Sequence, residues 1–157
     1  MQQRMKLHPL TDTQIHALLN TASVGTLATL RADGAPYALP VHFLWDAGNI
    51  YIHGLPRGQK LANIAADPRV SFTTYRMDGL LMPDNNIPCD VNTQYESVVV
   101  QGSAALVTDV ARKREILEKI VAKYTPELKN RPLPDAMVAG TAVIEVTPTT
   151  ISGKYYS

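Results

Sequence analysis

The chain has 157 residues, 45% of them hydrophobic, with 15 basic and 14 acidic side chains and a formal charge of +1. Such a chain is the size of one domain, 1–157, and can bury one hydrophobic core, while its balanced charge excludes an overall field drawing it to nucleic acid or an anionic membrane. The single cysteine, Cys89, excludes an internal disulfide and a multi-cysteine metal site and fits a reducing cytoplasm. No run approaches the ~18 apolar residues of a membrane span, and the N-terminal arm, 1–10, lacks the apolar stretch of a secretion signal, so a soluble cytoplasmic protein is expected.

Thr11 or Asp12 can cap a short helix to Asn20 with Ile15, Leu18 and Leu19 on one side. From Ala22 to Leu30, small and β-branched residues predict a strand, and Asp33-Gly34 predicts a tight turn back. Tyr37, Leu39, Val41, Phe43 and Trp45 then alternate with Ala38, Pro40, His42 and Leu44, a two-faced strand. After a turn at 46–49, "IYIHG" is a third strand. The segment from Arg57 to Pro68 predicts a helix with Leu61, Ile64 and Ala65 inward, stopped near Asp67 by the proline. "RVSFTTYR" makes a fourth strand with Val70, Phe72 and Thr74 on one face. Residues 78–94, with two prolines and no sustained period, predict a long loop. A long strand from Tyr95 bends at Gly102; a helix capped by Asp109 runs to Tyr124; and a proline-rich connection leads to a last strand over 141–151. Strands joined by short turns, with helices inserted, predict a mainly β fold: an antiparallel barrel with flanking helices.

The chemistry concentrates in "YIHGLPRGQKLANI". A strand ends, Gly54 and Gly58 follow, and a helix opens with Gln59 and Lys60 in its first turn. Free N–H groups, the helix dipole and an ammonium suit a phosphate there, although the same pattern also describes a plainly capped helix. His53 beside it is either a rim histidine bonded to backbone, a haem ligand, a proton donor or a flavin partner. His42 comes near His53 if their strands form a hairpin, but two histidines without a third ligand do not make a metal site, and none is assigned. Pro40 cannot donate to a ladder, so its strand is either broken there beside a ligand or an edge. Trp45, Tyr51 and Tyr95 are candidate covers for a flat ligand, and Ser71, Thr73 and Thr74 candidate phosphate hydroxyls; core packing and ordinary strand composition explain them equally. "ARKREILEKI" reads as a solvated helix face rather than a nucleic-acid surface.

The ordered blocks from "VGTLATLRADGAPYALPVHFLWDAGNIYIHGLPRGQKLANIAADPRVSFTTY" through "TQYESVVVQGSAALV" to "ISGK" resemble the FMN-binding split-barrel proteins related to pyridoxamine 5′-phosphate oxidase, and among them the nitroimidazole-resistance branch. The resemblance implies an antiparallel Greek-key split barrel, a homodimer and FMN at the subunit interface. It implies that Leu39, Pro40, Val41 and His42 run along the flavin, and that Ile52, His53, Gly54, Gly58, Gln59 and Lys60 surround its phosphate end. Gln59 stands where the oxidases usually have an arginine, and Ser97 where they have a glutamine. "TTISGKYYS" lacks their arginine- and histidine-bearing substrate segment, which argues against pyridoxamine phosphate as substrate. His53 matches a histidine beside the cofactor pocket in the nitroimidazole-resistance branch and is the expected catalytic side chain. The implied function is reduction of small electrophiles, nitroaromatics among them, with electrons from NAD(P)H; the alternative is a non-catalytic flavin or haem binder.

Overall fold

The computed structural model describes residues 8–157; the first seven residues of the expected arm lie outside them. Seven strands, β1 (Gly25–Leu30), β2 (Pro36–Val41), β3 (Leu44–Asp46), β4 (Asn49–Gly54), β5 (Arg69–Leu81), β6 (Asn92–Leu106) and β7 (Ala142–Tyr156), form one antiparallel sheet ordered β2-β1-β5-β6-β7-β4-β3. The described α-helices are α1 (Asp12–Thr21), α2 (Gln59–Ala66), α3 (Val110–Tyr124) and α4 (Asp135–Gly140). His8–Leu10 pair along β7 through Tyr155 N–H to His8 and Leu10 N–H to Gly153.

The strand order explains the barrel. β2 and β3 are the two edges of the sheet, yet only His42 and Phe43 separate them in sequence. Six inter-strand spacings of ~4.8 Å would put flat edges ~29 Å apart, whereas the three Cα steps from Val41 to Leu44 reach at most ~11 Å. The sheet must therefore roll until its edges meet. The expected single strand from Tyr37 to Trp45 is thus corrected to two, although its alternation persists: Leu39, Val41, Phe43 and Trp45 all belong to or pack on the barrel core.

Local chemistry supports each turn of this path. Thr11 and Gln14 form a reciprocal capping box that starts α1, whose Ile15, Leu18 and Leu19 are buried. Gly34 supplies the positive φ of +81° that the β1–β2 turn needs, with the Asp33 carboxylate accepting from Ala35 N–H. Asp109 accepts from Arg112 N–H and caps α3.

One hydrophobic core was expected, and two clusters are present. Leu27, Phe43, Ile52, Phe72, Val100 and Ile144 fill the barrel. A second cluster lies outside it, where Leu44, Tyr51 and Val143 on the other face of the sheet meet Ile116, Leu117 and Ile120 of α3. β4 is therefore covered on both faces, because α3 and the unexpected helix α4 lie over its outer side. The charged face of α3 is also less solvated than expected: Lys119 and Arg112 reach Asp46 at 2.8 and 3.5 Å, and Arg112 donates to the Tyr51 hydroxyl at 2.8 Å.

The expected loop over 78–94 contracts to residues 82–91, since β5 and β6 pair as far as Leu81 and Asn92. A register shift between Met77 and Gly79 breaks the period of two from which a strand is read. Inward positions on α2 are likewise corrected: Asn63 and Ile64 are buried, Leu61 is half-buried and Ala65 is exposed. The last strand runs past 151 to Tyr156, paired with Tyr95.

β6 bends at Gly102 as expected, with a register shift between Gln101 and Gly102. A Cβ at this position would stand 2.3 Å from the Thr147 carbonyl oxygen, a backbone atom with no room to retreat. Gly102→Ala is expected to destabilise the fold by about 1–3 kcal/mol, read from urea denaturation midpoints at unchanged m-value.

Candidate functional site

β4 delivers His53 and Gly54 to the barrel rim, and four residues later α2 begins. Gly58, the residue before α2, has φ +142°, a backbone conformation that disfavours any side chain, and no side chain caps the helix. The N–H groups of Leu61 and Ala62 return to the Gly58 carbonyl at 3.1 and 3.2 Å. Those of Gln59 and Lys60 have no acceptor among the described residues, which leaves two donors and the positive end of the dipole open.

Lys60 folds back over the end of β4. Its ammonium lies 2.9 Å from where a Cβ on Gly54 would stand, so the missing side chain at 54 lets the charge settle close over the strand end. Among the described residues Lys60 has no ion pair. Helix α2 is held by a polar chain with a buried middle: the exposed Gln59 amide donates to Asn63 at 2.6 Å, Asn63 to Thr29 at 2.9 Å, and Thr29 to the Tyr37 carbonyl at 3.3 Å. Gln59 is therefore turned along its own helix. It offers the corner its backbone N–H and leaves the ionic role to Lys60.

His53 is solvent-accessible at the rim and accepts or donates no hydrogen bond among the described residues. Surrounding protein draws solvation away from its ring, and the nearby charges of His42 and Lys60 act in the same direction; all three lower its pKa below the usual 6.5. His53 is thus held neutral near pH 7. His42, in the β2–β3 link, stacks on Tyr124 at 4.6 Å with planes 22° apart.

The link itself is held by the end of α3. The Tyr124 hydroxyl accepts from Phe43 N–H at 2.8 Å, and Lys123 donates to the Phe43 carbonyl at 3.0 Å. The Tyr124 hydroxyl in turn has two carbonyl acceptors in reach, Ser23 and Phe43, each at 2.8 Å. Lys123 has no carboxylate partner among the described residues and lies 4.1 Å from the centre of the Phe43 ring; burial lowers its pKa to about 8. The one sequence signal here is that Tyr124 ends the apolar face of α3 that carries Ile116, Leu117 and Ile120; Lys123 has none.

Residues 11–155 match the family model described as pyridoxamine 5′-phosphate oxidase. The chain belongs to the pyridoxamine 5′-phosphate oxidase family. A family relative, the 5a,11a-dehydrotetracycline/5a,11a-dehydrooxytetracycline reductase of Streptomyces rimosus subsp. rimosus, is 31% identical over 110 residues, covering 68% of this chain and 70% of the reductase. A candidate 5-nitroimidazole antibiotic resistance protein from Bacteroides thetaiotaomicron superposes with a TM-score of 0.82 at 22% identity, over 93% of this chain and 85% of the other. The flavocytochrome Anf3 from Azotobacter vinelandii gives 0.86 at 21%, over 100% and 72%. These two likenesses establish the split-barrel fold.

In this member of the pyridoxamine 5′-phosphate oxidase family, His42, His53, Gly54, Gly58, Gln59 and Lys60 gather at one corner of the barrel. Leu39, Pro40 and Val41 approach it along the edge strand β2. Pro40 lies opposite Thr26 in an unbroken β1–β2 register, so the edge reading of this proline holds within the chain. The Ile52 side chain points into the barrel core, 1% exposed, which leaves only its backbone to the site. Ser97 is not at the corner. It pairs with Lys154, whereas His53 pairs with Val143 near the other end of β7, roughly 36 Å along the strand.

The other candidates have structural partners. Tyr51 is buried beneath α3, Trp45 packs against His16, and Tyr95 stacks on Tyr75. Thr73 and Thr74 donate to the carbonyls of Val98 and Val24 at 2.9 Å each. Ser71 lines a hollow of about 420 Å³ whose one charged side chain, Arg69, is bound to Asp67, so it offers no free charge to a phosphate.

Titration of the His53 ring by NMR is expected to give a pKa below 6.5, with Lys60→Met moving it upward. The unfolded chain takes up this proton first, so His53 contributes a loss of stability as pH falls from 6.5 to the lower folded value.

Proposed function

We propose that the protein is an FMN-dependent oxidoreductase that passes electrons from NAD(P)H to small electrophiles. The observation that carries this reading is the corner itself: among the described residues, two amide donors without an acceptor and an ammonium without a counter-ion, beside a glycine at 58 with open space around it. The family membership and the reductase relative support it. Bound there, FMN would supply hydride and electron chemistry that no side chain of the protein can perform.

The chain's own part is to bind and orient. Lys60 and the N–H groups of Gln59 and Lys60 hold the phosphate; β2, a sheet edge, has backbone groups facing away from β1 that the ring system can meet between Leu39 and Val41. His42, fixed by Tyr124, closes the ribityl side. His53, neutral and without a hydrogen-bond partner among the described residues, can donate to or accept from an acceptor bound beside the ring. Nitroaromatics and polycyclic enones are the acceptor classes suggested by the resistance protein and the tetracycline reductase.

Lys60→Ala is expected to weaken FMN by about 1.5–3 kcal/mol, the worth of a charge-assisted hydrogen bond. Fluorescence titration of the flavin-stripped protein measures this, and unchanged affinity would place the phosphate elsewhere. The flavocytochrome neighbour gives the haem reading its specific test: a Soret band in the purified protein, lost in His53→Ala, would favour haem over flavin alone.

We further propose that the active unit is a homodimer. The β5–β6 arm exposes Tyr75, Met77, Leu80, Met82 and Ile87, each close to half exposed or more, an apolar surface of the kind another chain covers. A second copy docked on this arm also offers the means for Ser97 to approach a corner that it cannot reach in its own chain. Leu80→Glu with Met82→Glu is expected to convert a dimer to monomers in light scattering; a wild-type monomer at micromolar concentration would overturn the assignment.

A further inference from the structure

Two hollows run together over the outer face of β4. One, of about 410 Å³, opens between His53, Leu55 and the α4 residues Met137 and Gly140. The other, of about 170 Å³, continues beneath Leu133 to Leu117 and Val121 of α3. His53, Met137 and Thr141 line both, so the hollows adjoin at these three residues and together make a two-part slot between the rim and the inner side of α3. Its size falls in the range of small-molecule sites, commonly about 300–1,000 Å³.

The slot differs in chemistry from the corner next to it. No carboxylate, ammonium or guanidinium lines it, and its polar side chains are His53 and Thr141. The Thr141 hydroxyl is already committed to the Met137 carbonyl at 2.7 Å. His53 remains as its one side chain with an uncommitted donor among the described residues. An ionised ligand group placed deep in the slot would lose hydration with no counter-charge to replace it, whereas an uncharged oxygen beside His53 gains a donor. At the mouth, Met137 and Leu55 are 64% and 75% exposed, and the flexible Met137 thioether can close over ligands of differing outline.

We propose that this slot is a separate subsite for the ring-bearing end of an uncharged organic acceptor, such as a quinone or enone, with one of its oxygens hydrogen-bonded to His53. The subsite rests on the proposed flavin corner for its redox role but not for binding. A ligand seated there has its polar end at His53, next to the Lys60 corner, and its hydrophobic end under α4. The division of labour follows from charge: the corner takes the dianion and the slot takes the neutral ring.

The test uses menadione, an uncharged two-ring quinone, and 1,4-naphthoquinone-2-sulfonate, its charged counterpart. Affinities are measured by ligand-observed NMR on the full chain, and FMN affinity is measured separately by fluorescence. Menadione is expected to bind the wild type at least tenfold more tightly than the sulfonate. Met137→Trp and Leu133→Trp, which fill the slot from two sides, are each expected to weaken menadione at least tenfold while changing FMN affinity less than twofold; a retained thermal midpoint shows that they fold. Menadione binding lost in both variants of a protein that ignores FMN would support the slot and defeat the flavin reading. Equal affinity for the two quinones, no menadione binding by the wild type up to its solubility, or variants that bind it normally would overturn the proposal. So would a matching loss of FMN affinity, since the slot would then be the flavin's own.

Discussion

The two-residue link between β2 and β3 is the constraint on which the rest of the molecule depends. It joins the opposite edges of a seven-stranded sheet, and chain connectivity alone obliges the sheet to close. A closed sheet has an inside, which the alternating residues of β1, β4, β5 and β6 fill. The link cannot join the ladder, and this leaves the Phe43 N–H and carbonyl in need of partners. Tyr124 and Lys123 supply them from the end of α3. The candidate corner thus forms where the barrel closes, because there backbone polar groups, an exposed histidine and a sheet edge coincide.

Helix α2 illustrates how the scaffold keeps this corner open. A helix of eight residues has little stability of its own. The polar chain from Gln59 through Asn63 and Thr29 to Tyr37 ties it to β1 and β2, with each buried polar atom satisfied. Its N-terminus can then remain without a side-chain cap. Leaving those amides free is a local cost that this network offsets. Beside it, Gly54 performs a similar task by omission, since a methyl group there would press on the Lys60 ammonium at 2.9 Å and push it aside.

Much of this was legible from one chain. The capped helices, the Asp33-Gly34 turn, the bend at Gly102 and the strand alternation are local properties, and local chemistry shows in the residues that carry it. The juxtaposition of Gly58, Gln59 and Lys60 after a strand was legible for the same reason. Asn63 left a fainter trace: a polar residue on the inward side of a short helix, four positions from Gln59. Misreadings arose where a partner decides. β5 and β6 extend through an irregular stretch because each supplies the other's ladder, and a bulge hides the period from any reading of β5 alone. Tyr51 was open between covering a ligand and packing in a core, and α3 decides for packing by covering the outer face of β4, which neither segment announces.

The sequence by itself determined the class of fold, the strand-to-helix junction that sets Gly58, Gln59 and Lys60 side by side, and the family to which the chain belongs, because these depend on neighbours within a few positions. Only the tertiary structure decided that there are two cores, that Ser97 lies far from its own chain's corner, and that α4 and α3 roof a neutral slot beside His53. Those facts depend on contacts between segments tens of residues apart. Such contacts follow from closing the sheet, and no periodicity or motif encodes where a closed surface will place its hollows.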